Sequence, residues 1–196
     1  MATRLYDFAH SANSYRVRLL LALLRVEHDV QKVDLLTRAQ HDPEFLALNP
    51  LGQVPVLVED GEVISDSHVI ILHLAERHGS AYLPADPAER RAVLQWLFFD
   101  ANELHNGIGL ARNSFAFGVG RDGEGPRERG VRGLRLLDNA LGPSDWLVGG
   151  APTLADIACY PLTTVVKQAG IDPAPFENVA RWQGRIEALD GYVPML

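Results

Sequence analysis

The chain has 196 residues, of which 47% are hydrophobic and 22% charged, and its formal net charge is −7. These proportions are ordinary for a folded globular protein and argue against a disordered or fibrous class. Nucleic-acid binding requires a concentrated basic surface, so the negative charge also argues against a nucleic-acid partner. The single cysteine, Cys159, excludes an intramolecular disulfide and argues against a Cys-based metal site.

The densest basic cluster is interleaved with Glu124 and Glu128 and is expected to be a solvated helix face; it contains Arg127, Arg129, Arg132 and Arg135. The longest apolar run, Leu19 to Leu24, is too short to span a bilayer. The first residues lack the apolar core of a secretory signal. We therefore expect a cytoplasmic protein with no membrane partner.

The first elements predict a β-α-β unit. Residues 4–8 form a short predicted strand, and the polar stretch His10 to Ser14 leads into a helix. The helix is indicated by apolar residues at i, i+3, i+4 and i+7, namely Val17, Leu20, Leu21 and Leu24. Residues 28–34 suggest a second strand, which should lie parallel to the first by the right-handed crossover rule.

A hairpin and a helix complete the first predicted domain. Asp60-Gly61 separates the apolar runs 53–59 and 62–64, which is a strong hairpin signal. Asp66-Ser67 should begin a helix that reaches about His78, because Asp and Ser are preferred N-caps. The order β-α-β-loop-β-β-α predicts a thioredoxin-like α/β domain over residues 1–78.

The rest of the chain predicts an all-α domain. Residues 79–87 contain Gly and two Pro and are assigned to a linker. Residues 88–196 follow as a helical domain, with helices at about 88–115, 126–141, 154–169 and 176–189 and a Gly-rich connection at 118–125. Thr153-Leu154-Ala155-Asp156 has the form of a capping box and should open the third helix.

Several common enzyme motifs are missing from the sequence. The histidines show no metal-binding spacing, and neither a nucleophile elbow nor a phosphate-binding glycine loop occurs. The informative set is Ser11 to Ser14, Gln53-Val54-Pro55 and Asp66-Ser67, at the starts of predicted helices and of a strand. Taken singly, these residues are also explained as helix caps and a strand-initial proline.

Their order and spacing, together with longer segments, resemble the cytosolic glutathione transferase family. The resemblance rests on Leu5 to Leu24, Asn49-Pro50-Leu51-Gly52-Gln53-Val54-Pro55-Val56-Leu57, Ser65-Asp66-Ser67, Trp146-Leu147-Val148-Gly149-Gly150 and Ala155-Asp156. It implies a serine-type, bacterial-like detoxification enzyme that acts as a homodimer. Glutathione would be the co-substrate, and no metal is implied. The pairing of subunits is expected on the long helix, where Trp96, Phe98 and Phe99 add apolar area.

The resemblance also assigns a glutathione site. A cis Pro55 would let Val54, beside Gln53, offer its backbone N–H and C=O to the cysteinyl part of the ligand. The helix beginning at Asp66-Ser67 would bind the γ-glutamyl part, with Asp66 in place of the more usual Glu or Gln. Gln40 could reach the glycyl carboxylate, and a solvated loop glutamine is an equal alternative.

Thiol activation is assigned to the loop before the first helix. In serine-type members the catalytic hydroxyl matches Ser11, with Asn13 as a second donor and Ser14 as the expected N-cap. Ser14 remains an alternative to Ser11 because serine caps helices at either place. Tyr6 lies near the tyrosine that other branches of the family use.

The second substrate, an apolar electrophile, is expected between the domains against the long helix. Its expected walls are Phe8, Ile108, Arg112, Phe115 and Phe117, although apolar residues at helical spacing are more often core. Glu103-Leu104-His105 resembles a motif of beta-type transferases and adds His105, but Phe98 and Ala12 replace that class's Asn and Cys. Two other functions stay open: glutathione-dependent disulfide or peroxide reduction, and a non-catalytic binding protein of this fold.

Overall fold

The computed structural model describes residues 3–78, 81–120 and 123–195. The described chain divides into two units. The first contains the described residues before Ala81 and those from Asp190 onward, and the second is Ala81–Leu189. Residues 79 and 80 of the expected linker, and 121 and 122 of the expected Gly-rich connection, lie outside the described residues.

The first unit contains a four-stranded mixed sheet. Its strands are Thr3–Asp7 (β1), Asp29–Lys32 (β2), Val56–Glu59 (β3) and Glu62–Ser65 (β4), in the order β2-β1-β3-β4. β1 and β2 are parallel, as predicted, and the other two pairs are antiparallel. The Asp60-Gly61 hairpin is confirmed, and both residues have positive φ, 51° and 89°, as a type I′ turn requires.

Three helices accompany this sheet: Ala12–Leu23 (α1), Pro43–Leu48 (α2) and Ser67–Arg77 (α3). The helices α1 and α3 were expected. The short α2 was not, because six residues are too few for an apolar period to show. Phe45 in α2 is buried in a cluster with Val33, Val54 and Val56. This cluster lies beneath the start of β3 and therefore supports the Val54-Pro55 segment.

The second unit is helical. Its helices are Pro87–Phe99 (α4), Leu110–Phe117 (α5), Glu124–Leu141 (α6), Leu154–Thr163 (α7) and Glu177–Glu187 (α8). The predicted long helix is a continuous helical run whose middle part, Asp100–Gly109, is π-helical, which we call the π segment. The third helix was predicted too long, since α7 ends at Thr163 and a short 3-10 turn, Val166–Ala169, follows.

The predicted capping box is confirmed at the start of α7. The Thr153 hydroxyl accepts a hydrogen bond from the Ala155 N–H, and the Asp156 carboxylate accepts one from the Thr153 N–H at 2.8 Å. Asp156 also accepts the indole N–H of Trp182 at 2.8 Å and is fully buried. The box therefore ties α8 to α7 as well as starting a helix.

The last described residues group with the first unit. The hydroxyl of Tyr15 in α1 donates to the Val193 carbonyl at 2.8 Å, and Arg25 pairs with Asp190. The sequence assigned this tail to the helical domain, because nothing in its composition shows a return to α1. Among the described residues, no helix is both long enough and apolar enough to cross a membrane.

Candidate glutathione site

Three chain segments meet at one edge of the sheet in the first unit. Tyr6 near the end of β1 pairs with Val56 at the start of β3, and Val56 pairs with Ser65 at the end of β4. The loop leading to α1, the segment before β3 and the start of α3 therefore leave the sheet at the same edge. The register thus brings the three candidate segments to one place.

Ser11 is the N-cap of α1. Its Oγ accepts a hydrogen bond from the Ser14 N–H at 3.2 Å, and its side chain is half-buried. The expectation that Ser14 caps the helix is wrong, because Ser14 already lies inside the first turn. Ser14 is fully buried, and its Oγ has no hydrogen-bond partner among the described residues. Of the two hydroxyls, only that of Ser11 is exposed enough to meet a ligand.

The segment before β3 is held by its own side chains. The Val54–Pro55 peptide bond is cis, as the resemblance implied, and the Val54 side chain is buried. The Asn49 side chain donates to the Gln53 carbonyl at 2.8 Å and accepts the Leu51 N–H at 3.1 Å. Gln53 is exposed. The Asn-Pro-x-Gly-x-Val-Pro motif is thus a fixed turn that delivers the Val54 backbone to the sheet edge.

Gly52 and Gln40 pack against each other beside this turn. Gly52 has φ of +61°, and a Cβ there would lie 3.1 Å from the Gln40 carbonyl oxygen, so a side chain would be crowded as well as strained. Gln40 lies in a short 3-10 turn, Ala39–His41. Its side-chain Oε1 is buried and has no hydrogen-bond partner among the described residues.

Asp66 caps α3, as predicted. Its Oδ1 accepts the N–H groups of His68 at 2.8 Å and Val69 at 3.3 Å, and its backbone has φ of 69°. The His68 side chain, 3.4 Å away, and these N–H donors hold the pKa of Asp66 well below its usual range despite partial burial. Asp66 therefore stays ionised and suits a cationic group such as an amine. Ser67, the next residue, is buried.

Sequence reasoning missed Arg16. Its guanidinium is fully buried and its Nη1 donates to the Ser67 Oγ at 2.5 Å and to the Asn13 Oδ1 at 3.4 Å. It therefore joins the start of α1 to the start of α3. A signal was available, since Arg16 lies three residues after Asn13 and four before Leu20, on the face of α1 that carries the apolar period.

The expected electrophile residues fall in both units. In the first, Phe8 is half-buried, packs on the Val54 cluster and meets the His10 ring edge-on at 5.5 Å. In the second, Ile108 is fully buried and packs against Gly130. Its helical spacing thus places it in the core of this unit, and its role as a substrate wall stays a prediction.

Arg112 and Phe115 are held by contacts inside the second unit. Arg112 is buried, donates from Nε to Gln168 Oε1 at 2.7 Å and lies 5.0 Å from the centre of the Phe117 ring. Burial lowers the pKa of its guanidinium. Phe115 is half-exposed, and its ring lies close to Gly123 and Gly170. Of the two, Phe115 offers the more accessible apolar surface.

The Glu-Leu-His motif has a structural explanation. Glu103 in the π segment pairs with Arg129 at 2.8 Å and Arg132 at 2.9 Å on α6, and these arginines lower its pKa. The basic cluster is thus partly neutralised by this carboxylate. His105, half-buried, lies near Gly109. No group of three metal-ligating side chains occurs within the described part of the chain, and Cys159 is buried.

The fold and this sheet edge define a two-part protein: a thioredoxin-like unit with a polar site at its sheet edge, and an all-helical unit. Sequence comparison gives the family. The sequence pattern of the glutathione S-transferase N-terminal domain matches residues 10–77, and that of the C-terminal domain matches residues 127–190. A glutathione S-transferase structure from Pseudomonas fluorescens Pf-5 is 33% identical and superposes with a TM-score of 0.94, with 100% of both chains covered.

Two relatives carry more specific names. The chain is 34% identical over 200 residues to a maleylacetoacetate isomerase of Rhizobium meliloti (strain 1021), which covers 97% of this chain and 93% of that one. It is 31% identical over 195 residues to the disulfide-bond oxidoreductase YfcG of Escherichia coli (strain K12), covering 92% and 88%. The chain belongs to the glutathione S-transferase family, and its enzyme class is glutathione transferase.

Proposed function

We propose that the sheet edge of the first unit binds glutathione and that Ser11 stabilises its thiolate for attack on an apolar electrophile. The observation that carries the proposal is the register Tyr6–Val56–Ser65, which gathers two helix N-termini and the Val54-Pro55 turn at one edge. Helix N-termini present free N–H groups and the positive end of a dipole. A ligand with two carboxylates and a thiolate is complementary to such an edge.

Each part of the tripeptide has a proposed partner. Asp66 already accepts the N–H groups of His68 and Val69, so the Ser67 N–H and hydroxyl are proposed to bind the γ-glutamyl carboxylate. The ionised Asp66 carboxylate binds the amine of the same residue. The backbone of Val54, placed by Gln53 and the cis Pro55, pairs with the cysteinyl residue. The amide N–H group of Gln40, which lies in the 3-10 turn beside Gly52, is proposed to reach the glycyl carboxylate.

The thiol is assigned to Ser11 and Asn13. The Ser11 Oγ accepts from the Ser14 N–H, which leaves its own O–H to donate to a thiolate. A free thiol has a pKa of about 8.5, so about 3% is ionised at pH 7. Lowering that pKa by about two units requires about 2.7 kcal/mol of preferential stabilisation of the thiolate. Two donors and the start of α1 are of the right strength for this.

Disulfide reduction is the second candidate. The Ser-x-Asn loop, Ser11 to Asn13, resembles the Thr-x-Asn loop of disulfide-reducing relatives, and one relative is named a disulfide-bond oxidoreductase. In that reaction the same thiolate attacks a sulfur atom instead of a carbon. Because the first unit has no cysteine, the sulfur chemistry would use glutathione alone. Since the chemistry requires reduced glutathione, we propose a cytoplasmic site of action.

Calorimetry with glutathione followed by a substrate panel tests this proposal. Glutathione should bind with a Kd near or below about 1 mM, which corresponds to about −4 kcal/mol, and should raise the melting temperature. The panel contains aryl halides, epoxides, peroxides, mixed disulfides and, because of the isomerase relative, a cis-unsaturated keto acid. Turnover of aryl halides or epoxides supports the transferase, and turnover of mixed disulfides alone supports the second candidate. If saturating glutathione gives neither heat nor a shift in melting temperature, the transferase and the disulfide-reductase candidates are both contradicted.

A further inference from the structure

A buried cation connects the two polar ends of the candidate site. Arg16 lies one turn into α1, is fully buried, and touches both the Asn13 amide and the Ser67 hydroxyl through the same nitrogen, Nη1. Asn13 belongs to the proposed thiol site and Ser67 to the proposed γ-glutamyl site. The Arg16 side chain therefore links the proposed thiol site to the proposed γ-glutamyl site.

The chemistry of the guanidinium fixes which way these partners face. An arginine has five N–H donors and no acceptor, so any polar atom that faces it must be an acceptor. The Asn13 amide must therefore turn its Oδ1 toward Arg16, which leaves its NH2 group facing away. Likewise, the Ser67 oxygen accepts from Arg16 with a lone pair, so its own O–H points elsewhere.

We infer that Arg16 is a positioning residue that sets the hydrogen-bond polarity of Asn13 and Ser67, so that both present donors to the bound ligand. The inference rests on the proposed function. Arg16 itself touches no reacting atom and gives up no proton.

This polarity matches the ligand. A thiolate and a carboxylate only accept hydrogen bonds, whereas an amide or hydroxyl can face them with either its donor or its acceptor. A wrongly turned Asn13 would aim its oxygen at the thiolate and repel it. The bond from the guanidinium also polarises the Ser67 hydroxyl, because hydrogen bonds in a chain strengthen one another. Arg16 would thus act on thiol activation through Asn13 and on capture through Ser67.

The test compares Arg16→Met with Arg16→Lys and with a matched control, Arg18→Met. Arg18 is on the same helix, but its partners are Asp7, the Ala9 carbonyl and the Tyr15 ring. Arg16→Met should raise the glutathione Kd about tenfold, the value of one charge-assisted hydrogen bond, and raise the pKa of the bound thiol by about one unit. Arg16→Lys should partly restore both the glutathione Kd and the pKa of the bound thiol. Arg18→Met should lower the melting temperature without changing the pKa of the bound thiol.

A double-mutant cycle separates positioning from a merely structural role. In a Ser67→Ala background, Arg16→Met should raise the glutathione Kd less than about twofold, because the Ser67 hydroxyl, through which Arg16 acts on capture, is gone. An equal loss in both backgrounds, with an unchanged thiol titration, overturns the inference. If wild-type protein binds no glutathione at all, the proposed function fails instead.

A measurement on the wild-type protein covers the case in which the Arg16 variants do not fold. The Asn13 side-chain NH2 resonances should shift when glutathione binds, and should shift much less with γ-glutamyl-alanyl-glycine, which lacks the thiol. Equal shifts with the two peptides would show that the Asn13 donor does not face the sulfur, and would overturn that half of the inference.

Discussion

Gly107 in the π segment and Gly130 in α6 lie where these two helices cross. A Cβ added at Gly107 would be 2.5 Å from the Gly130 backbone nitrogen and 2.6 Å from its Cα. Carbon atoms in contact need about 3.5–4.0 Å, so Gly107→Ala must push the helices apart by about 1 Å. The displaced surface includes the buried Leu104, Ile108 and Leu134. The obstructing atoms are backbone and cannot rotate away, so the cost should reach the upper end of overpacking effects, about 3 kcal/mol.

In a chain of this size, that loss corresponds to a fall in melting temperature of about 6–12 °C, measurable by calorimetry or circular dichroism. Gly184→Ala is the matched control. Gly184 is exposed in the middle of α8, and a Cβ there would meet no atom within 4 Å. This variant should instead gain about 0.5–1 kcal/mol from helix propensity. A Gly107→Ala protein as stable as wild type would refute the close crossing.

Three further predictions concern pH, capture and assembly. Burial alone would raise the pKa of Glu59, but hydrogen bonds from His73, His78 and Thr3 and the Arg77 charge hold it below its ordinary 4.5. The ionised carboxylate therefore stabilises the fold above about pH 4.5, and this stabilisation is lost as the pH falls through the lowered pKa of Glu59 in the folded state. Glu59→Gln should lower the free energy of unfolding by about 1–3 kcal/mol at pH 7 but much less at pH 3. Equal losses at both pH values would count against this role of Glu59. Asp66→Ala should weaken glutathione binding about tenfold while leaving the thiol titration of the remaining complex unchanged, and unaltered binding in calorimetry argues against its contact with the amine. Light scattering should give twice the chain mass of 21.6 kDa, and a monomer mass at all concentrations rules out the homodimer.

The sequence predicted best those features that depend on local chemistry. Asp60-Gly61 specifies a turn that needs two positive φ angles, and Asp66 and Thr153 supply acceptors to the first N–H groups of their helices. Each of these outcomes is decided within about four residues. The alternating order of strands and helices then limits the topology to a few arrangements, which is why the thioredoxin-like domain could be predicted.

Features that depend on packing between distant segments could not be predicted. The composition of the π segment, which includes two Asn and two Gly, does not distinguish a π-helix from an α-helix, and its wider turns lie where Gly107 meets α6. Ser11 and Ser14 are the same residue type, so only the point at which helical backbone begins decides which one caps α1. The place of Arg16 on the apolar face of α1 indicates burial, but its contact with Ser67, 51 positions away, depends on how α1 and α3 pack.

The thiol titration of bound glutathione tests the central claim most directly. Thiolate absorbance in the ultraviolet should rise with pH through an apparent pKa of about 6–7 in the wild-type complex, about two units below that of the free thiol. Ser11→Ala should return much of that shift, whereas Ser14→Ala, which removes a hydroxyl buried inside α1, should not. A wild-type complex whose thiol titrates near 8.5, or a shift abolished by Ser14→Ala and kept by Ser11→Ala, would contradict the account.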